Sequence, residues 1–301
     1  MTQAGLDTLS ALDPLRAAGY ELVSTPPGIL PSLDDLRGVP AGVKGWIAGV
    51  ERIGADELDA FPDLVCISRN GTGADSIDHG AAEARGVEVV TARGANARGV
   101  AELTLAHILN ALRRVSWANT DLRSGGWTRP LGIEMPDVTI GVVGFGAIGR
   151  LVTRFALALD SRVVAYDPFA EPDLPAGVTL VGLDELIHTS NVITLHAPPP
   201  NDGSPLIGRA QLDLMTPGTM LVNTARSSLV DPDAVRDALE SSRLRSYSVD
   251  AFDEEPPTPS ALLRHPDVVL TPHLGGFTTA SSARAMQQAA DSLLSILNPG
   301  T

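Results

Sequence analysis

Three polar segments in the last third of the chain contain side chains that could do acid–base and anion-binding chemistry. The segments are NTARSSLVD (223–231), VDAFDEEP (249–256) and TPHLGG (271–276). His273 could act as a general acid or base, because an imidazole titrates near neutral pH. The planar guanidinium of Arg226 could hold a carboxylate through two parallel hydrogen bonds, which a lysine cannot do. We expect all three segments at strand ends, where open α/β sheets bind their ligands.

The segment GFGAIG (144–149) places glycines at the first, third and sixth positions of a turn. A β-branched run over 138–143 precedes it, and a helical pattern over 147–159 follows it. In this context the first glycine permits a tight turn, the second lets a pyrophosphate approach the backbone, and the third lets the helix pack closely against the strand. The helix N-terminus offers free N–H groups to phosphates. The dinucleotide contacts predicted here are Gly144, Gly146, Ala147, Ile148 and Gly149.

Asp167 follows the next predicted strand, 163–166. A carboxylate at this position can accept hydrogen bonds from the hydroxyl groups of the adenosine ribose. It would repel a 2′-phosphate, and the next three residues, 168–170, contain no arginine that could hold one. The sequence therefore favours NAD over NADP as the cofactor.

The elements that must position these groups alternate between strands and helices. Short apolar runs predict strands at 46–48, 64–68, 87–90, 138–143, 163–166, 192–195, 220–222, 247–251 and 268–270. Such alternation is typical of a parallel sheet covered by helices on both faces. A long helical pattern over 100–123 is expected to lead from a first domain into a second. The last helix, over 278–297, is expected to return to the first domain, which would then be discontinuous.

Composition and charge exclude several classes of function. The chain has 301 residues and a formal net charge of −14, so nucleic acids and anionic membranes are not expected as partners. Lys44 is the single lysine, which excludes the phosphate loop of P-loop nucleotidases. The single cysteine, Cys66, permits no internal disulfide, and no His and Cys spacing suggests a metal site. Because the first ten residues lack a signal-peptide pattern and no apolar run is long enough to span a membrane, we expect a cytoplasmic protein.

Two earlier segments complete an ordered set of motifs. SRNGTGADSID (68–78) is similar to a substrate-binding loop, and GANARGVAELTLAHIL (94–109) is similar to an interdomain crossing. Together with the three polar segments, they resemble the D-isomer-specific 2-hydroxyacid dehydrogenases, and in particular the phosphoglycerate dehydrogenase branch of that family. The resemblance covers about residues 40 to 300. Five motifs in this order are far more specific than any one of them.

The resemblance implies an α/β fold with two domains. A Rossmann-type NAD-binding domain would occupy residues 98–275. A smaller, discontinuous, flavodoxin-like substrate domain would occupy residues 1–97 and be completed by residues 276–301. The active site would lie in the cleft between the domains, which would close on the substrate. A homodimer is also implied, with the predicted helix over 100–123 at its interface.

The reaction implied by the resemblance is the NAD-dependent interconversion of a small D-2-hydroxy acid and its 2-keto acid. The substrate would be that of a phosphoglycerate dehydrogenase or of a hydroxypyruvate or glyoxylate reductase. By the same resemblance Arg226 grips the substrate carboxylate and polarises its carbonyl group. His273 is the catalytic acid–base, and Glu255 is the acid that hydrogen-bonds it.

The resemblance also assigns residues that bind substrate and cofactor. The substrate-binding residues are Asn70, Gly71, Thr72 and Gly73, through their backbone N–H groups, and Asn96. Beyond the glycine turn and Asp167, the residues expected to line the cofactor site are His196, Ala197, Pro198, Thr224, Ala225, Arg226, Asp250 and His273. Asp250 would accept a hydrogen bond from the nicotinamide carboxamide.

Two features depart from the family pattern, and a third residue bears on the choice of substrate. The chain begins at what is similar to the helix that follows the family's first strand, ALDPLRAAGY (11–20), so either the true start lies upstream or the substrate domain tolerates the loss of that strand. Ser227 stands where the family usually has glycine, and we expect strain there if that position needs a positive φ. A phosphorylated substrate would need further cations, for which Arg52, Arg69 and Arg98 are available, but Glu51 lies where a neutral or basic side chain would be favoured.

Two other functions are compatible with the same sequence. An NAD-sensing binding protein, like the corepressor members of the family, would keep the fold and act through partners. A dehydrogenase of the formate or phosphite type would oxidise a one-carbon or inorganic anion. NADH oxidation in the presence of 2-keto acids separates these functions from the dehydrogenase implied above.

Overall fold

The computed structural model describes residues 9–26, 30–170 and 174–298. The first eight residues, part of the segment in which we found no signal-peptide pattern, lie outside this description. Within the described ranges, no helix is both long enough and apolar enough to cross a membrane.

Parallel strands alternate with helices along the chain. The strands are β1 (Gly45–Ala48), β2 (Cys66–Arg69), β3 (Glu88–Thr91), β4 (Thr139–Val143), β5 (Arg162–Tyr166), β6 (Val178–Leu180), β7 (Val192–Leu195), β8 (Thr219–Asn223), β9 (Leu244–Val249) and β10 (Val268–Leu270). The α-helices are α1 (Asp13–Ala17), α2 (Leu33–Arg37), α3 (Ala55–Asp59), α4 (His79–Glu83), α5 (Ala97–Arg113), α6 (Val115–Arg123), α7 (Ala147–Ala158), α8 (Leu183–Thr189), α9 (Arg209–Leu214), α10 (Pro232–Glu240) and α11 (Thr279–Leu297). This alternation confirms the predicted α/β class.

The described residues divide into two compact units. Unit 1 contains the residues up to Asn96 and those from Thr278 onward, and unit 2 is Ala97–Phe277. Unit 1 has a parallel sheet in the order β1-β2-β3, and α11 packs against all three strands. Gly45 lets this helix approach, because a Cβ at that position would lie 2.6 Å from the Leu293 side chain. No strand precedes β1 in the part of the chain that the structure describes.

Unit 2 has a seven-stranded parallel sheet in the order β10-β9-β8-β7-β4-β5-β6. The chain runs outward from β4 through β5 and β6 on one side and through β7, β8 and β9 on the other, which is the Rossmann order. Strands β4, β7 and β8 are buried along their whole length, as expected for strands with both faces covered. The strand order reverses between β4 and β7, so the carboxyl ends of these two strands form the switch point where ligands bind.

The single helix predicted over 100–123 is wrong, because the structure divides it into α5 and α6. Arg114, between the two helices, has a φ of +53°. Its guanidinium pairs with the Asp267 carboxylate and lies 5.0 Å from the centre of the Trp117 ring. The Asn110 side chain accepts a hydrogen bond from Ser116 N–H at 2.8 Å, at the start of α6. These side-chain interactions offset the cost of a left-handed residue.

Candidate active site

The glycine turn connects the end of β4 to the start of α7 and leaves no room for side chains at its first and last glycines. Gly144 has a φ of +92°, and a Cβ there would lie 2.6 Å from Ala197 N. A Cβ on Gly149 would lie 2.0 Å from the Gly144 carbonyl oxygen. These are the tight turn and the close helix–strand packing that the sequence predicts.

The second glycine of the turn faces open space. No atom lies within 4 Å of the position that a Cβ on Gly146 would occupy. Gly146 is the N-cap of α7, and the N-terminus of this helix presents backbone N–H groups and a partial positive charge. A pyrophosphate needs both the space and the donors, so the residues present fit a dinucleotide.

Asp167 is connected directly to the glycine turn. Its Oδ2 accepts a hydrogen bond from Phe145 N–H at 2.8 Å, and its Oδ1 accepts one from Phe169 N–H at 2.8 Å. Each carboxylate oxygen has two lone pairs, so each can accept a further hydrogen bond from a ribose hydroxyl. The two backbone contacts fix the orientation of the carboxylate beside the turn.

The loop after β7 lies against the same turn and begins with His196, Ala197 and Pro198. His196 N–H donates to the Val143 carbonyl at 2.7 Å, and His196 Nε2 lies 2.9 Å from Thr194 Oγ1. The buried Nδ1 has no hydrogen-bond partner among the residues that the structure describes. Burial lowers the pKa of His196 to about 3, so this imidazole is neutral at physiological pH and is not suited to acid–base catalysis.

His273 and Glu255 form a hydrogen-bonded pair. His273 Nδ1 lies 2.8 Å from Glu255 Oε1 and 3.0 Å from Glu255 Oε2. Phe252 N–H also donates to Glu255 Oε1, at 3.0 Å, which helps to fix the carboxylate. A carboxylate that accepts the Nδ1 proton leaves the opposite ring nitrogen, Nε2, to exchange a proton with a ligand. The pair has the arrangement of a catalytic base and the group that orients it.

The backbone at His273 is in the left-handed region, with a φ of +51°. Its N–H donates to the Asp250 carbonyl at 2.8 Å. The Asp250 carboxylate, which is 1% exposed, accepts from Leu274 N–H and Gly275 N–H at 2.8 Å each. Asp250, predicted to contact the nicotinamide, thus also holds the turn that carries the histidine.

Arg226 follows β8 in extended conformation, with φ −142° and ψ 138°. Its Nη1 donates to the Ala225 carbonyl at 2.8 Å. The buried Asn223 amide holds this segment, because its nitrogen donates to the Arg226 carbonyl at 2.8 Å and its oxygen accepts from Ala225 N–H at 3.1 Å. Asn223 was not among the predicted site residues, although an asparagine that ends an otherwise apolar strand is a signal for such a role. Thr224, which follows Asn223, is buried, and its hydroxyl oxygen lies 2.8 Å from Thr104 Oγ1.

The expectation of strain at Ser227 is wrong. Ser227 opens a short 3₁₀ turn, Ser227–Leu229, and is not among the described residues with positive φ. Its hydroxyl donates to Asp253 Oδ1 at 2.6 Å. The position therefore does not need glycine in this chain, and the serine adds a contact to the segment that contains Glu255.

The predicted substrate-binding residues of unit 1 lie in the loop after β2 and at the end of the segment after β3. Asn70 N–H donates to the Ala48 carbonyl at 2.9 Å, and Gly71 N–H donates to the Arg69 carbonyl at 2.8 Å. Thr72 Oγ1 donates to Asn96 Oδ1 at 2.8 Å, which connects two of the predicted residues. The N–H groups of Thr72 and Gly73 have no acceptor within the described ranges. These two groups, rather than all four, can bind an anion.

In unit 2 the structure brings the predicted catalytic segments to one edge of the sheet. Strands β8, β9 and β10 are parallel neighbours, and Asn223, Val249 and Leu270 at their carboxyl ends are in register. Arg226, Glu255 and His273 follow these three strand ends. Within the described part of the chain, no cluster of three or more His, Cys, Asp or Glu side chains could hold a metal ion.

Comparisons with known proteins agree with this geometry. Residues 105–275 match the model of the D-isomer specific 2-hydroxyacid dehydrogenase NAD-binding domain. The chain is 38% identical over 262 residues to D-3-phosphoglycerate dehydrogenase of Mycobacterium bovis, covering 86% of this chain and 50% of that protein. It is 35% identical over 243 residues to hydroxypyruvate reductase of Thermotoga maritima, covering 79% of each.

A solved structure is similar over nearly the whole chain. The crystal structure of the TT0316 protein from Thermus thermophilus superimposes with a TM-score of 0.85 and 34% identity, covering 96% of this chain and 94% of that one. The chain spans about half the length of the first curated relatives that it matches. The sequence and structural matches together show that the chain belongs to the D-isomer-specific 2-hydroxyacid dehydrogenase family and contains the family's NAD-binding domain.

Proposed function

We propose that this chain is an NAD-dependent oxidoreductase that interconverts a small D-2-hydroxy acid and its 2-keto acid. The observation that carries the proposal is the contact of His273 Nδ1 with both Glu255 carboxylate oxygens, at 2.8 and 3.0 Å. Arg226 and the glycine turn follow strand ends at the same edge of the unit 2 sheet. An acid–base group, an anion-binding cation and a dinucleotide turn at one edge match the needs of this reaction.

The residues that hold NAD in this proposal follow from the turn and its neighbours. Backbone N–H groups at the start of α7 bind the pyrophosphate, and Asp167 binds the adenosine ribose. Thr224, Ala225 and Asp250 contact the nicotinamide end. When bound, the reduced cofactor, NADH, would supply the hydride that reduces C2 of the keto acid, and NAD would accept a hydride from the hydroxy acid in the reverse reaction. The Asp167 charge opposes a 2′-phosphate, which supports a preference for NAD over NADP.

His273 moves the proton in this proposal. Because Glu255 accepts the Nδ1 proton, Nε2 faces the substrate oxygen and gives it a proton during reduction. In the direction of oxidation, neutral Nε2 takes the proton from the substrate hydroxyl. The Arg226 guanidinium holds the substrate carboxylate and stabilises negative charge on the carbonyl oxygen. The candidate substrate-binding groups of unit 1 are the N–H groups of Thr72 and Gly73 and the Asn96 side chain.

A short unphosphorylated acid fits the substrate loop better than a phosphorylated one. The Glu51 carboxylate accepts hydrogen bonds from Trp46 Nε1 at 3.2 Å and Gly49 N–H at 3.0 Å, which fixes it on the loop after β1. Burial lowers the pKa of Arg69, and the charges of Glu51 and Asp75 act against that shift. The two carboxylates outnumber this one guanidinium, so a phosphate beside them would meet net negative charge, which hydroxypyruvate or glyoxylate avoids.

A screen of NADH oxidation tests the proposal. The substrates are glyoxylate, hydroxypyruvate, pyruvate, longer 2-keto acids and phosphohydroxypyruvate, with formate and phosphite assayed for NAD reduction. We expect turnover with a short 2-keto acid and weaker turnover with phosphohydroxypyruvate. Tight NAD binding without turnover of any 2-keto acid would overturn the proposal and favour an NAD-sensing binding protein. Activity on formate or phosphite alone would overturn it in favour of that class of dehydrogenase.

We also propose that the protein is a cytoplasmic homodimer, with α6 and the segment after it at the interface. Helix α6 has nine residues, none of them buried, and so short a helix is marginally stable alone. Trp127 is 79% exposed and Leu131 is 90% exposed, which is unusual for large apolar side chains. Sedimentation should give about twice the chain mass of 31.4 kDa. A single species at the mass of one chain would overturn the dimer.

A further inference from the structure

A chain of side-chain hydrogen bonds runs from the Asp250 carboxylate to helix α5. Thr271 Oγ1 lies 2.6 Å from Asp250 Oδ1, and His107 Nε2 lies 3.1 Å from the same Thr271 oxygen. Asp250 and His107 are 1% and 3% exposed, so water competes little for these contacts. Helix α5, which carries His107, packs against β8 and β9. These hydrogen bonds therefore connect helix α5 of unit 2 to the turn that carries His273.

The direction of each hydrogen bond follows from the chemistry of the three groups. A carboxylate cannot donate, so the single proton of the Thr271 hydroxyl goes to Asp250. The lone pairs of that hydroxyl must then accept, so His107 donates from Nε2–H. Burial lowers the pKa of His107, and the charge of Asp250 offsets part of that shift. A neutral His107 imidazole with its proton on Nε2 is the form that can donate to the Thr271 hydroxyl.

We propose that His107 and Thr271 are positioning residues for His273. The proposal rests on the acid–base role proposed above for His273. Thr271 fixes the rotation of the Asp250 carboxylate, and His107 fixes the rotation of the Thr271 hydroxyl. The carboxylate, held in this way, keeps both of its oxygens on the N–H groups of Leu274 and Gly275. Neither His107 nor Thr271 needs to contact the substrate for this effect.

The left-handed backbone of His273 explains why the turn needs such support. A non-glycine residue at a φ of +51° is less favourable than one with ordinary extended or helical backbone, because its Cβ crowds the neighbouring carbonyl oxygen. Such a conformation persists only where the surrounding contacts determine it. The constraint comes from Asp250, whose carbonyl accepts from His273 N–H and whose carboxylate accepts from the N–H groups of Leu274 and Gly275. If these contacts loosen, the His273 imidazole spends less time where it can exchange a proton with the substrate.

Substitution of Thr271 tests the proposal through kinetics. Thr271→Val keeps the shape and removes the hydroxyl, and we expect kcat for the best 2-keto acid to fall about tenfold. The dissociation constant for NADH should change less than kcat, because the glycine turn and Asp167, which hold the rest of the dinucleotide, are unchanged, although Asp250 is proposed to contact the nicotinamide end. Thr271→Ser restores the hydroxyl and should restore most of kcat. Thr153→Val is the matched control, because Thr153 is buried in unit 2 and its hydroxyl has no partner in the described structure.

Substitution of His107 tests the hydrogen bond that lies farthest from His273 in this series. His107→Leu removes the donor with little change in volume, and we expect kcat to fall about threefold to fivefold. His107→Gln keeps an N–H donor of similar reach and should recover much of the loss. A Thr271→Val or His107→Leu variant with the kcat of the unmodified protein would overturn the proposal. So would a loss that the serine or glutamine variant fails to restore.

Amide hydrogen exchange tests the same contacts without any turnover. In Thr271→Val we expect the amides of Leu274 and Gly275 to exchange about tenfold faster, with no change for Leu221 in β8. The Thr153→Val control should leave all three rates unchanged. Equal exchange rates at 274 and 275 in Thr271→Val and the unmodified protein would overturn the proposal. If no 2-keto acid is reduced, the proposed function fails, and exchange still decides whether Thr271 holds this turn.

Discussion

His273 Nδ1 lies 2.8 Å from Glu255 Oε1, although the two residues follow different strands of the unit 2 sheet. The contact depends on the parallel register of β9 and β10, in which Val249 pairs with Leu270. Parallel neighbours bring successive strand ends to one edge of a sheet, and the loops that follow can then meet there. The pair is therefore a consequence of topology as much as of the two side chains.

The glycine turn gives a prediction that separates stability from cofactor binding. Gly149→Ala places a Cβ within 2.0 Å of the Gly144 carbonyl oxygen, so we expect the free energy of unfolding to fall by at least about 2 kcal/mol. Gly146→Ala adds a methyl group in open space, so its steric cost is absent and stability should fall by no more than about 1 kcal/mol, the cost of alanine at a helix N-cap. Because that space is proposed to take the pyrophosphate, the dissociation constant for NADH should rise about tenfold or more.

Thermal unfolding and NADH titration measure these two effects. Gly38→Ala is the control. An added Cβ there would lie 3.5 Å from its nearest atoms, an ordinary contact distance, and Gly38 is in unit 1, outside the NAD-binding unit. A Gly146→Ala variant that binds NADH as well as the unmodified protein would argue against the proposed cofactor position.

Asp167 gives a prediction about cofactor preference. Asp167→Asn removes the charge that opposes a 2′-phosphate, so we expect the ratio of kcat/KM for NADH over NADPH to fall about tenfold. The exposed Asp184 at the start of α8 offers a control, since Asp184→Asn removes the same charge from another part of unit 2. An unchanged ratio in Asp167→Asn would show that another group sets the preference.

His196 gives a prediction about stability against pH. The pKa of His196 is about 3 in the folded chain, whereas the unfolded chain has the ordinary value of 6.5. The unfolded chain therefore takes up the proton first as the pH falls. The free energy of unfolding should therefore decrease below about pH 6.5, by roughly 1 kcal/mol per pH unit from this residue, until about pH 3.

Denaturant unfolding from pH 7 to pH 4 without cofactor measures this contribution. His196→Asn removes the titrating group and keeps a polar side chain, so its stability should fall less steeply over that range. Parallel stability curves for the two proteins would contradict burial of a neutral imidazole at this position.

The parts of the site that sequence predicts well are local ones. The glycine turn is visible because strand, glycines and helix follow each other within about twenty residues. Arg226, Glu255 and His273 could be placed at strand ends because each follows a short apolar run. Such patterns need no knowledge of distant partners.

The parts that sequence did not predict depend on residues far apart in the chain. The break at Arg114 involves a contact with Asp267, and the partner of His107 is Thr271. Ser227 lacks the expected strain because its segment forms a 3₁₀ turn, and the Ser227 hydroxyl donates a hydrogen bond to the Asp253 carboxylate. Packing of the sheet and its helices creates these pairs, and no local pattern encodes them.

The kinetics of His273→Ala test the central claim most directly, in the NADH-dependent reduction of the 2-keto acid that the screen identifies. The account predicts that kcat falls by at least about a hundredfold, because general acid–base catalysis is lost, while the dissociation constant for NADH stays within a few-fold. Glu255→Gln should give a smaller loss of kcat, since it removes the orienting charge and leaves the imidazole. A kcat for His273→Ala near that of the unmodified protein would contradict the account.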